Sequence, residues 1–161
     1  MTRFLTLLAV AGLSAGVAHA ETLGTITGTW DGSERSWFIT VIEGESQSAH
    51  NDAARVVETF TLWGNPEEDD LASVKNVVSL DFSVMTGAKG KQALNPALYV
   101  LENGFNDRWD GSADGQTEIK IETFVKTDAS VHVTGTIHAT PAKDGETRPF
   151  DGTFDVTFPR D

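Results

Sequence analysis

The sequence has no cysteine, two methionines, five prolines and one tyrosine in 161 residues. Without cysteine there is no disulfide to staple the fold, no thiolate to act as nucleophile or metal ligand, and no acylation site for a lipid anchor. Positive charge is scarce too: 12 Lys and Arg stand against 24 Asp and Glu, a net charge of −12. Such a surface repels nucleic acid and anionic lipid, so no nucleic-acid partner is expected. No Gly-rich phosphate loop opens a helix and no Gly-x-Ser-x-Gly elbow occurs, which removes the local signatures of nucleotide binding and of one large hydrolase class. Beyond the first twenty residues no apolar run approaches the roughly 20 residues needed to cross a bilayer.

Those first residues carry Arg3, an apolar stretch from Phe4 to Val17, and then Ala18-His19-Ala20. A basic start, a short apolar middle and a small-x-small end make a cleavable secretory leader. Residues 1–20 are therefore expected to be removed, leaving 21–161 as one exported domain with no membrane insertion, in the periplasm or outside the cell. Arg3 is the only charged residue of the leader, so the mature chain is more acidic still. A chain of this size needs no staples, because it is long enough for an ordinary hydrophobic core.

What the mature chain does have is alternation. In Phe150 to Phe158 large apolar residues share one parity while Asp and Thr take the other, the pattern of a strand with one buried face. The same reading holds for Leu23 to Trp30, Ser36 to Glu43, Arg55 to Trp63, Val78 to Val84, Leu98 to Glu102, Glu118 to Glu122 and Val131 to Ala139. Asp31-Gly32, Asp110-Gly111, Asp114-Gly115 and Asp144-Gly145 punctuate them as turn dipeptides. About eight strands without intervening helical pattern point to an all-β fold, an antiparallel β-sandwich of Ig-like or jelly-roll-like kind, or alternatively a closed β-barrel. At most one short helix is expected near 66–76, where Asn65-Pro66-Glu67-Glu68 reads as a helix start. Thr86 to Ala97 and Gly104 to Gln116 read as irregular.

Three features carry candidate chemistry. Asp110-Gly111-Ser112-Ala113-Asp114-Gly115, followed by Glu118, resembles the opening of an EF-hand-type calcium loop, with oxygen side chains at alternate places and Gly at the bend. Asp110, Ser112, Asp114 and Glu118 are the expected calcium ligands, with Asn106 and Asp107 nearby, although the twelfth position is Ile121 and not Glu. Trp30 and Trp109 each precede Asp-Gly-Ser, at turn junctions where an indole is often partly exposed, and are the expected ligand-stacking residues. His132 and His138 lie six residues apart on one strand, roughly 20 Å, too far to share an ion. His50 reads as a loop residue beside Asn51 and Asp52.

The function these features favour is binding without catalysis, of a polysaccharide, an envelope protein or a small ligand. The alternatives are an extracytoplasmic enzyme with a carboxylate-based site, and a barrel-type carrier of a small apolar ligand.

Overall fold

Among the described residues, alternating apolar and polar side chains fold into twelve strands in two antiparallel sheets. The computed structural model describes residues 20–54, 56–87 and 90–160; apart from Ala20, the expected leader lies outside them. The strands are β1 (Ala20–Trp30), β2 (Ser33–Ile42), β3 (Ala49–Ala54), β4 (Val57–Gly64), β5 (Lys75–Gly87) and β6 (Gly90–Asn103). They continue as β7 (Arg108–Asp110), β8 (Thr117–Lys126), β9 (Ser130–Ala139), β10 (Ala142–Lys143), β11 (Glu146–Thr147) and β12 (Phe150–Pro159). One sheet has the order β2-β1-β12-β9-β8 and the other β11-β10-β7-β6-β5-β4-β3. They pack face to face as a β-sandwich, and no closed barrel forms among the described residues, so the barrel alternative for the fold is set aside.

Parity decides what lies between the sheets. Phe150, Phe154, Val156 and Phe158 of β12 are buried while Asp151, Thr153, Asp155 and Thr157 are exposed, as the alternation requires. From the facing sheet come Phe60 and Leu62 of β4, Leu80, Phe82 and Val84 of β5, and Leu98 and Val100 of β6. Phe60 and Phe82 stack at 5.1 Å, and Phe82 meets Phe154 at 5.3 Å across the layer.

Two of the turn dipeptides close hairpins by positive backbone angles. Asp31 (φ 53°) and Gly32 (φ 72°) join β1 to β2, and Asp144 (φ 52°) and Gly145 (φ 85°) join β10 to β11, as a type I′ turn demands.

Three local expectations are corrected. No helix occurs at 66–76 or elsewhere among the described residues. The backbone N–H and C=O of Asn65 are committed to Phe38 in β2, at 2.9 and 2.7 Å, so Asn65 forms an isolated bridge to the other sheet and does not cap a helix. Asp70 Oδ1 then accepts from the N–H groups of Ala72 and Ser73, an Asx-type turn that competes with helix formation. Thr86 to Ala97 is not irregular either: Gly87 pairs with Gly90 and the two arms of the β5–β6 hairpin run on from there. Asn95-Pro96 fits because the register shifts between Asp81 and Ser83, a bulge at which proline's missing N–H costs no ladder bond. The third correction is His50, which lies in β3, stacked on Phe60 at 4.8 Å.

One end of the sandwich is tied by charge. Lys126, at the end of β8, donates to Asp52 of β3 (3.0 Å) and Glu58 of β4 (2.9 Å). Arg160 donates to Asp52 (2.9 Å) and to the Thr127 carbonyl (2.6 Å), and His50 bonds Glu58 (2.8 Å). Hydrogen bonds from Lys126 and Arg160 hold the Asp52 carboxyl below its ordinary 3.8. Burial pushes Glu58 up, but Lys126 and His50 outweigh it and leave it below 4.5. Lys126 is raised above 10.5 by the same two carboxylates. Lowered carboxyls stabilise the fold above their unfolded values and lose that contribution as pH falls through the folded ones; a raised lysine contributes below 10.5 and loses it as pH rises through its folded value. The thermal midpoint is therefore expected to be flat between about pH 5 and pH 10 and to fall on both sides. Asp52→Asn should flatten the acid limb in melts followed by circular dichroism; an unchanged acid limb in that variant would show that these pairs do not set it.

Candidate functional site

The residues singled out for ligand stacking are in the core. Trp30 is 2% exposed and Trp109 4% exposed, packed edge to face at 5.6 Å and 78°. The expectation that they lie partly exposed at turn junctions is corrected by strand parity. Trp30 shares its face with Ile26, and Trp109 pairs with inward Val100. The guanidinium of Arg148 covers both indoles, 4.2 Å from the Trp109 ring and 5.0 Å from the Trp30 ring, and is held by Glu102 at 2.8 Å. Trp30 Nε1 donates to the same Glu102 at 3.3 Å. This group seals the end of the sandwich, and its rings are closed to a ligand.

The expected calcium ligands are not gathered. Asp110 Oδ1 accepts from the Ser112 N–H (2.9 Å) and hydroxyl (2.6 Å), and Oδ2 accepts from Arg108 (2.9 Å). Burial pushes Asp110 up, but Ser112 and Arg108 outweigh it and its carboxyl lies below the usual value. Asp107 is bound to Lys143 and to Asn103, which lower it as well, and Asn106 is exposed. Asp114 lines one depression, with Asn95 and Ser112, while Glu118 lines another on the outer face of the five-stranded sheet, with Lys120, His138 and Asp151. Among the described residues no three His, Asp or Glu side chains are placed to hold a metal. The Asp-Gly-Ser loop is thus a turn with internally satisfied oxygens, save for Asp114.

His132 and His138 each face a carboxylate across β9 and β12, Asp155 at 2.8 Å and Asp151 at 2.5 Å, on the exposed side of that sheet. All four of these side chains are more than a third exposed, so neither pair is sequestered from water in the way acid–base catalysis favours.

Another aromatic group lies on the outer face of the seven-stranded sheet, where Phe105 is exposed and Trp63 and Tyr99 are half-buried. Trp63 follows inward Leu62 and so points outward; it pairs with Ser79, Ser79 with Tyr99, and Tyr99 with Asp110, a row across four strands. Ser48 extends the ladder beside Trp63: its hydroxyl accepts from the Trp63 N–H at 2.7 Å and reaches the Trp63 carbonyl at 3.3 Å. Phe105, 65% exposed, sits 6.1 Å from the Trp63 ring. It stands at the tip of the β6–β7 turn, which Gly104 (φ 111°) and a bond from the Asp107 N–H to the Gly104 carbonyl (3.0 Å) make tight. On the same outer face the cross-strand pair Val77 and Leu101 is fully buried, although neither belongs to the main core. Arg108 lies 5.0 Å from the Tyr99 ring and covers it.

Beside the rings are polar groups with nothing to bond. Ser79 is only 6% exposed and Arg108 lies over the Tyr99 ring, while the Asp81 carboxylate and the Tyr99 hydroxyl make no hydrogen bond or ion pair among the described residues. A hydrophobic platform flanked by free donors and acceptors suits a ligand that is apolar on one face and hydroxylated at its edges. Sequence reasoning passed over Trp63, Tyr99 and Phe105, although parity marked the first two: each sits between two core residues, one step out of phase.

No family model, curated protein or solved structure matches this chain.

Proposed function

We propose that this chain is an exported, non-catalytic carbohydrate-binding protein whose site is the outer face of the seven-stranded sheet. The observation that carries this reading is the pairing of exposed Phe105 with half-buried Trp63 beside the unbonded carboxylate of Asp81 and hydroxyl of Tyr99. The C–H face of a pyranose packs on the aromatic surface, and its hydroxyls take up the free polar groups of the row. The surface is acidic overall, which favours neutral sugars over uronic acids or phosphorylated glycans.

Calorimetric titration of the purified protein with soluble neutral oligosaccharides tests this. Binding is expected, and Phe105→Ala or Trp63→Ala should weaken it at least about tenfold, the loss typical of an aromatic anchor. Glycan affinity that survives both substitutions would place the site on another surface.

A further inference from the structure

Resting on the carbohydrate reading, we infer that the site is extended: it runs from the Trp63–Phe105 platform along the row to Asp110 and ends in the depression around Asn95 and Asp114. It therefore takes an oligosaccharide chain and not a single sugar.

The row spans three strand spacings, from β4 to β7, about 14 Å at the usual separation of paired strands. Ser79 is buried within it, and the group presented to solvent between the platform and Asp110 is Arg108, which lies on Tyr99 and bonds Asp110. Where it ends, Asp110 is bonded to Ser112, and Ser112 lines a depression of about 380 Å³ with Asn95, Pro96, Asp114 and Thr117. The platform and the depression are thus joined through one hydrogen-bonded pair. The depression is polar, and two of its side chains are uncommitted: neither Asn95 nor Asp114 makes a hydrogen bond or ion pair among the described residues. Asn95 also has a left-handed backbone (φ 48°) at the bulge where β6 shifts register against β5. Bulges re-aim side chains, and here the bulge sets Asn95 and Pro96 against the Ser112–Gly115 loop. No aromatic ring lines the depression, whereas the platform is aromatic, so the two divide the work. The platform supplies apolar contact, and the depression supplies hydrogen bonds and a wall. One monosaccharide cannot touch both ends, whereas a short linear oligomer can.

The probes are two soluble ladders, β-1,4-linked glucose and β-1,4-linked N-acetylglucosamine, each from one to six residues, titrated by calorimetry into the full protein. In the ladder that binds, affinity is expected to rise with each residue until the row and depression are filled, and then to level off. Asn95→Ala and Asp114→Ala should each weaken the longest oligomer by about tenfold and leave the shortest binding oligomer unchanged. Phe105→Ala should weaken every length. Asp114→Asn, which keeps the shape of the side chain, and thermal melts of each variant separate loss of contact from loss of fold. If the shortest and longest oligomers bind equally, or if Asn95→Ala and Asp114→Ala leave the length dependence as it was, the extended site is wrong and the platform reading stands. If no member of either ladder binds, both are overturned.

Discussion

Replacing Trp109 by alanine is expected to cost about 3–5 kcal/mol of folding stability, enough to threaten the native state of a domain this size. The indole is 4% exposed, edge to face with Trp30 at 5.6 Å and covered by Arg148 at 4.2 Å. Its removal opens a cavity at the end of the core and strips Arg148 of the ring it covers most closely. Trp30→Ala should cost a similar amount, and the double variant less than the sum, because each ring loses the other as neighbour in the single variants. Phe105→Ala, at a side chain 65% exposed, should stay within about 0.5 kcal/mol of the parent. Urea denaturation of the parent and the four variants makes the comparison. A Trp109→Ala protein that unfolds within about 1 kcal/mol of the parent would mean that this end of the sandwich is not packed as described. The contrast separates aromatic residues that hold the fold from those free to hold a ligand.

That contrast was half legible in the sequence. Strand parity gave the core face of β12 and β9, of β5 at Val78 to Val84 and of β4 at Phe60 and Leu62, because a sheet with one face in water must alternate. Val56, read onto the same face as Phe60, precedes β4 and is 67% exposed. The same parity assigns Trp109 to the core, since it stands between Arg108 and Asp110, and assigns Trp63 to the outside, since it follows Leu62. Reading Trp109 by its neighbouring Asp-Gly turn instead of by its strand put it at the surface. The turn chemistry itself was sound at Asp31-Gly32 and Asp144-Gly145, where both central residues adopt positive φ. It misled at Asp110-Gly111, where the Gly111 N–H bonds the Leu98 carbonyl and the chain leaves β7 without a hairpin. The missing helix has a non-local cause: Asn65 is held by Phe38, 27 positions earlier in the sequence, and no property of the 66–76 segment announces that bond. The depression at Asn95 and Asp114 was hidden for the same reason. It exists because the register of β6 against β5 shifts, and register is a property of two strands together.

A single methyl group at Gly135 is expected to be nearly as damaging as losing part of a ring elsewhere. Gly135 lies on the core face of β9, directly opposite Phe154 of β12 on one side and Ile121 of β8 on the other. A Cβ built there would stand 2.5 Å from the Lys120 carbonyl oxygen and 2.8 Å from two ring carbons of Phe154. The ring lies across the glycine, filling the space a side chain would use, in the manner by which aromatic residues cover glycines in sheets. Phe154 is itself packed against Phe82 at 5.3 Å and is 2% exposed, so the ring has little room to withdraw. The carbonyl belongs to the β8 backbone and cannot move without disturbing the ladder between β8 and β9. Gly135→Ala should therefore lower stability by about 3 kcal/mol, at the upper end of overpacking costs. Gly87→Ala is the matched control, since nothing lies within 4 Å of its Cβ position, and it should change stability by no more than about 0.5 kcal/mol. Urea midpoints decide between steric exclusion and a general intolerance of side chains at strand glycines. If both variants lose stability equally, the second explanation holds; if only Gly135→Ala does, the close approach of Phe154 and Lys120 is what keeps this position glycine.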